Sequence, residues 1–237
     1  SPLVDLDPHT MHFGWEMVGF AEHTYDGLVR GDDSFAPEAD VAESWEVTEN
    51  GTKFTFHLRE GVKFHNGRTV DSSDLKYSFD RIMDPNTGAP YVTFVNPVTS
   101  VTAPDKKTLV MTTAEPNSAL VSNLSMSTMA IVPKEEVESR GSLKEYAVGT
   151  GPFKFVELAI NEHLLYERFK QTGDDHWWQI PEFDEIQYLF IPEDATRLAL
   201  LLTGETDLAD LSTQLLETAV DRGMTRFRST LPGFSIF

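Results

Sequence analysis

The first strong pattern along the chain is a two-residue alternation. Phe54, Phe56 and Leu58 alternate with Thr55, His57 and Arg59, and Trp45-Glu46-Val47 precedes them across Glu49-Asn50-Gly51. Alternation marks a half-buried strand, and an Asn-Gly pair between two such segments predicts a hairpin. A second Asn-Gly pair, Asn66-Gly67, follows Val62-Lys63-Phe64. The period then changes. Leu75, Phe79, Ile82 and Met83 recur at helical spacing behind Asp71 and Asp74, a variant of the capping box. Asp84-Pro85 ends that helix, because the residue before proline disfavours helical geometry.

Beyond this point strands predominate. Val98–Thr102 and Thr108–Thr112 flank a turn at 104–107, and a short helix is expected over Asn117–Leu124. Another runs from Lys134 to Gly141, a suitable residue just past a helix end. The turn at Gly149-Thr150-Gly151-Pro152 leads to strands at Phe153–Leu158 and His163–Phe169, and Ile186, Tyr188 and Phe190 alternate once more. Pro192-Glu193-Asp194 opens a helix with acids in its first turn, favourable to the helix dipole. That helix carries Leu198, Leu201 and Leu202 and stops at Gly204; a last one covers about Ser212 to Arg222. Mixed strands and helices with several hairpins make the class α/β or α+β.

Composition narrows the function. The 237 residues suit one large domain or two small ones. With 19 Lys and Arg against 38 Asp and Glu, the formal charge is -19. Such a chain repels phosphate backbones and anionic membranes, so nucleic-acid binding is excluded. The longest aliphatic run, Leu198–Leu202, is far too short for insertion into a membrane. There are no cysteines, which removes disulfides, thiolate metal sites and cysteine nucleophiles.

Catalytic signatures are absent. There is no P-loop, no G-x-S-x-G elbow and no H-E-x-x-H motif. Gly149-Thr150-Gly151 lacks a third glycine and reads as a tight turn. Adjacent carboxylates such as Asp32-Asp33 and Glu135-Glu136 diverge in extended structure and do not form an acid–base pair. The seven histidines read as solvated, His57 on the polar face of its strand. No catalytic residue, metal ligand or cofactor is assigned. Met126 and Met129 in the Ser-rich stretch 125–129, with the aromatic and Met-rich stretch Met11–Phe20, suit an adaptable apolar cleft. Trp45, Trp177 and Trp178 read as core or interface supports.

A series of blocks, in order, resembles one family. These are Leu6-Asp7-Pro8, Tyr25-Asp26-Gly27-Leu28-Val29, Ala42-Glu43-Ser44-Trp45-Glu46-Val47, Leu58-Arg59-Glu60-Gly61-Val62-Lys63-Phe64-His65-Asn66-Gly67 and Asp74–Phe79. Val132-Pro133-Lys134, Val148–Phe153, Ile191–Arg197 and Gly204-Glu205-Thr206-Asp207 continue it. The chain is similar to the family 5 extracellular solute-binding proteins of ABC importers, the peptide/nickel type. It departs from the pattern at Gly173–Trp178, where the family's Asn-Pro-x-Tyr-Trp is common, and at Leu158, where an aromatic is common.

The resemblance implies a periplasmic-binding-protein-like type II α/β fold, with mixed sheets and flanking helices. Family members have about twice this length, so the chain is expected to be the first lobe of a two-lobed protein with the second lobe missing. The hydrophobic stretch Phe234–Phe237 fits a cut near the hinge. The implied organisation is a main-lobe segment at 1–30, an inserted hairpin-rich subdomain at 31–133, and a main-lobe continuation at 134–237. The implied role is capture of di- or oligopeptides in an interlobe cleft and delivery to the ABC permease membrane subunits. A nickel chelate, an oligosaccharide or an opine are the alternative solutes, and a secreted hydrolase is the alternative class. The implied location is periplasmic or cell-surface, with a lipid anchor on an upstream cysteine compatible with it. The cleft-lining candidates are Trp15, Glu16 and Met17 before Tyr25, Tyr91 in a later loop, and Met126, Ser127 and Met129 as a wall.

Overall fold

The structure is a computed structural model, and it describes residues 5–12, 20–32, 34, 36–170 and 182–226. Three expectations fall outside these residues: the Trp15-Glu16-Met17 cleft segment, the departure at Gly173–Trp178 and the hydrophobic end at Phe234–Phe237. The described residues form two compact units. The first comprises residues up to Leu158 and Leu164–Gln187; the second comprises Ala159–His163 and residues from Tyr188 onward.

The first unit opens with a helical turn, α1 (Glu22–Thr24), followed by the short pair β1 (Val29–Gly31) and β2 (Pro37–Ala39). The predicted hairpin is β3 (Ala42–Thr48) with β4 (Lys53–Leu58), paired Trp45 to Phe56 and Val47 to Phe54. Its turn places Glu49 and Asn50 in the left-handed region, at φ 53° and 56°. Asparagine tolerates that conformation better than most residues. Next comes α2 (Ser72–Met83). The Asp71 carboxylate accepts from the Ser73 N–H at 2.9 Å, and the Asp74 carboxylate accepts from the Asp71 N–H at 3.0 Å. Both halves of the expected capping box are therefore made.

Then follow β5 (Val98–Asp105) and β6 (Thr108–Thr113). The sheet order is β3-β4-β6-β5, antiparallel throughout. Strand β5 continues through Pro104 to Asp105, so the turn is one or two residues later than the sequence predicts. Edge position explains this: Pro104 has no N–H to donate, and β5 pairs on one side only. The alternation expected of β4 is observed. Phe54, Phe56 and Leu58 are buried, opposite Met111 and Leu109 of β6, and Leu75, Phe79 and Ile82 of α2 join the same cluster.

The rest of the first unit includes α3 (Leu120–Asn123), shorter than expected because Asn117 spends its side chain on a turn, accepting from the Ala119 N–H at 3.0 Å. Helix α4 (Lys134–Arg140) ends at Gly141 in the left-handed conformation, as predicted. Strands β7 (Phe153–Ala159), β8 (His163–Arg168) and β9 (Glu185–Leu189) form a three-stranded sheet in that order.

The second unit holds α5 (Asp194–Thr203) and α6 (Thr213–Asp221). Leu198, Ala209, Leu211 and Ala219 form its apolar cluster, with Leu201, Leu202, Leu215 and Met224 packed against it at partial burial. Asp194 accepts from the Ser212 N–H at 3.2 Å, joining the start of α5 to the start of α6. Among the described residues no helix is long and apolar enough to cross a membrane.

Candidate functional site

Within the first unit a recess of about 310 Å³ opens between two segments far apart in sequence. One wall is Glu22, Tyr25, Asp26 and Gly27, with Val29, Arg30 and Gly31 of β1; the other is Ser125, Met126 and Ser127; Asp40 and Pro152 complete the lining. The walls touch where the Ser127 hydroxyl donates to the Glu22 carboxylate at 3.3 Å.

The recess is acidic. Its lining holds Glu22, Asp26 and Asp40 but one basic residue, Arg30, which pairs with Glu38 at 3.2 Å. Two of the carboxylates have structural partners. Asp26 accepts from the Thr150 hydroxyl at 2.8 Å, and Asp40 accepts from the Gly27 N–H at 3.1 Å. Glu22 is the more open one. Protein atoms around it nonetheless displace water, and this raises its pKa above the ordinary glutamate value; the Ser127 bond opposes the shift.

Close backbone approach shapes the recess. The Gly149-Thr150-Gly151 stretch lies against residues 23–25, and the Gly151 N–H donates to the Thr24 carbonyl at 3.0 Å. A Cβ on Gly149 would overlap the Thr24 carbonyl oxygen, so only glycine fits there. This stretch is thus a packing surface as well as a turn. His65 holds it from the other side. Its Nδ1 accepts from the Gly149 N–H at 3.3 Å and its Nε2 donates to the Gly151 carbonyl at 2.9 Å. That pattern requires the neutral ring with the proton on Nε2. Burial pushes the His65 pKa down to about 4, against the opposing effect of the Gly151 bond.

A second buried histidine ties down the stretch 5–12. Arg81, near the end of α2, donates to both Asp7 oxygens at 2.8 and 2.5 Å and to His9 Nδ1 at 2.7 Å. His9 Nε2 donates to the Ala130 carbonyl at 2.9 Å. Burial raises the Asp7 carboxyl, but the Arg81 bonds outweigh it and hold its pKa below the usual value. Burial, then the Arg81 charge, pushes His9 down to about 4. The expectation of solvated histidines is therefore corrected for His9 and His65, which are 2% and 8% exposed. Alternation shows which face a residue shares; it does not show that a carbonyl 121 residues away in the chain will meet the ring.

The sequence candidates are distributed as follows. Met126 and Ser127 line the recess. Met129 is buried in the core cluster, and Tyr91 packs against that cluster while stacking on Phe94 with ring centroids 6.3 Å apart. Trp15, Glu16 and Met17 lie outside the described residues. Sequence reasoning passes over Glu22, Asp26 and Asp40. Only Asp26 carried a local signal, inside the block Tyr25–Val29. Among the described residues no group of three or more His, Asp or Glu is placed to hold a metal ion.

Comparison with known proteins identifies the fold. Residues 36–235 match the middle region of bacterial extracellular solute-binding proteins, family 5. The chain is 29% identical over 228 residues to the periplasmic oligopeptide-binding protein OppA of Salmonella typhimurium, covering 88% of this chain and 41% of that one. It is 30% identical over 194 residues to heme-binding protein A of Haemophilus influenzae, covering 72% of this chain and 35% of that one. The solved complex of AgaA from A. tumefaciens R10 with agropinic acid superposes with a TM-score of 0.77 at 31% identity, over 86% of this chain and 41% of the other. The chain thus spans about two fifths of the length of the oligopeptide-binding relative it matches. The fold is that part of a type II periplasmic binding protein, mixed α/β with several sheets and flanking helices. The chain belongs to the bacterial extracellular solute-binding proteins of family 5.

Proposed function

We propose that this chain carries part of the solute-binding surface of an ABC importer's peptide-binding protein, acting in the periplasm or at the cell surface. The carrying observation is the recess between residues 22–31 and 125–127, set in a family of solute-binding proteins. Its lining supports a peptide. Met126 and Pro152, both half-buried, offer apolar surface that tolerates varied side chains. Glu22 and Ser127 offer an acceptor and a hydroxyl for backbone groups, and the acidic lining favours a ligand carrying an ammonium. A dianionic ligand such as heme meets repulsion from the same carboxylates.

Trp15, Glu16 and Met17, just ahead of Glu22 in sequence, are proposed to face the same solute. In the whole protein the solute would be enclosed by lobe closure, which presents a surface to the permease. The reading makes the protein a stoichiometric binder without turnover. An opine is the second reading, favoured by the 31% identity to the AgaA complex with agropinic acid.

A thermal-shift panel on the full-length gene product separates these readings. A ligand that binds only the folded state raises the melting temperature by mass action. Stabilisation by tri- to pentapeptides, with none by agropinic acid, hemin or nickel–histidine, is the expected result. Stabilisation by agropinic acid alone replaces the peptide reading with the opine reading. Consumption of a peptide by catalytic amounts of protein establishes a hydrolase. Replacing Met126 by Ala should weaken peptide binding several-fold, and an unchanged dissociation constant removes it from the site.

A further inference from the structure

We infer that the buried Arg81–Asp7–His9 cluster is a positioning device that sets the distance between the two walls of the recess. The cluster reaches both walls. On one side Leu6, next to Asp7, accepts from the Tyr25 hydroxyl at 2.9 Å, and Tyr25 lines the recess. On the other side His9 holds the Ala130 carbonyl at 2.9 Å, three residues beyond Ser127. A cross-tie closes the loop: the Ile131 N–H donates to the Asp26 carbonyl at 3.0 Å. Both walls are therefore fastened to one rigid point.

The rigidity comes from Arg81. Its planar guanidinium grips both Asp7 oxygens, and its Nη1 also donates to His9 Nδ1. Such a fork fixes orientation as well as distance. Asp7 is 1% exposed, so the pair cannot be replaced by water without opening the core. The Asp7 carboxylate also lies 3.4 Å from the Leu143 N–H, and Leu6 N–H donates to the Lys144 carbonyl at 3.0 Å. These bonds anchor the stretch beneath both walls.

The cluster is built to hold a neutral ring. His9 Nδ1 must accept from Arg81, so a proton added there destroys the bond and sets two cations against each other. The groups facing His9 are Arg81 from α2, Asp7 from its own segment and the Ala130 carbonyl; Tyr25 lies near Asp7. Asp7 favours the added proton and Arg81 opposes it. Acid should therefore loosen the attachment of Ala130 and, with it, the 125–127 wall.

The test needs no known ligand. Spin labels can be placed at exposed Glu38→Cys and Ser122→Cys, outside the recess lining, one beside each wall; these 237 residues hold no cysteine, and any elsewhere in the full-length protein is replaced by serine. Pulsed electron paramagnetic resonance then reads the spacing in the full-length protein. His9→Leu keeps bulk but loses both bonds; His9→Gln can restore a donor and an acceptor; Tyr25→Phe removes one hydroxyl and serves where His9→Leu does not fold. The expected result is a shifted or at least twofold broader distance distribution in His9→Leu and Tyr25→Phe, with recovery in His9→Gln. Wild-type spacing should broaden between pH 7 and pH 4, and His9→Gln should not follow. An unchanged distribution in the folded variants overturns the proposal.

The functional weight of the device rests on the peptide reading of the recess. A panel tripeptide, such as tri-alanine if it stabilises the wild type, should bind at least fivefold more weakly to His9→Leu and recover in His9→Gln. A changed spacing with unchanged tripeptide affinity supports the positioning device and overturns the peptide-wall reading.

Discussion

The two compact units solve the burial problem at different scales. In the first, one apolar cluster runs from Leu28 to Ile131 and includes Phe54, Phe56, Phe64, Leu75, Phe79, Leu109 and Met111, all at most 1% exposed. In the second, the apolar cluster is Leu198, Ala209, Leu211 and Ala219, and the neighbouring leucines of α5 stay half-buried. The difference follows from the elements. A strand between two partners and under a helix buries every second residue completely, whereas α5 has one covered stripe. The first unit therefore sets the stability of the described residues, and the second is expected to open at lower free energy. Hydrogen exchange should show β4 and β6 protected far beyond α5 and α6.

The largest expected effect is at Phe56. Its side chain is fully buried between Trp45 and Leu109. Phe56→Ala should cost about 3–5 kcal/mol in denaturant unfolding. Leu198→Ala, in the second unit, should cost nearer the lower limit of about 2 kcal/mol, because its site is thinly covered and can relax. Equal losses would break the comparison.

Ion pairs sharpen it next. Asp7→Ala leaves Arg81 buried without its partner, which should cost about 3–5 kcal/mol. The corresponding pair of the second unit, Arg197 with Asp194 at 3.1 Å, is about one quarter exposed on both sides. Asp194→Ala should cost much less, since water screens that pair. A double-mutant cycle on each pair gives the coupling directly.

Legibility in the sequence divides along the same boundary between local and distant causes. The β3–β4 hairpin, the Asp71 capping box, the stop at Asp84-Pro85 and the Gly141 helix end were readable because each is decided by residues within a few positions. The burial of His9 and His65 was not, because their partners are the Ala130 carbonyl and the Gly149–Gly151 stretch, brought near only by the fold. The recess shows the same split. Met126 and Ser127 stood out by composition, whereas Glu22 and Asp40 lie there because α1 and the end of β2 converge on the same place. A carboxylate in a chain with 38 of them carries no signal until its neighbours are known.

Acid offers a probe of those distant contacts. In the unfolded chain a histidine takes up a proton near pH 6.5; in the fold His9 and His65 do so only near pH 4. Between these values the unfolded state binds more protons, so stability falls as pH falls. The full loss is on the order of 3 kcal/mol per histidine, reached below pH 4. Asp7, whose pKa is depressed, adds a further loss at still lower pH. The first unit should therefore soften between pH 6.5 and 4, read by urea midpoints across that range. His9→Gln with His65→Gln should flatten that part of the curve, and an unchanged slope would show that the rings are not neutral in the fold.

The smallest effect concerns two helix starts. At α2 the Asp71 carboxylate accepts from the Ser73 N–H, and Asp74 returns the bond to the Asp71 N–H. At α6 the equivalent residue is Ser212, another good capping type, but its hydroxyl makes no cap bond; its N–H is held by Asp194 instead. The same kind of substitution should then give different results. Asp71→Ala removes an acceptor from an orphan N–H and should cost about 1 kcal/mol. Ser212→Ala keeps the backbone bond to Asp194 and loses only the hydroxyl's exposed contact with the Asp194 carboxylate, so it should change stability by no more than a few tenths of a kcal/mol. The comparison tests whether capping follows residue type or the bond actually made. Similar losses at both positions would mean that the Ser212 hydroxyl rotates to cap α6 in solution, and the start of α6 would then be as firmly fixed as that of α2.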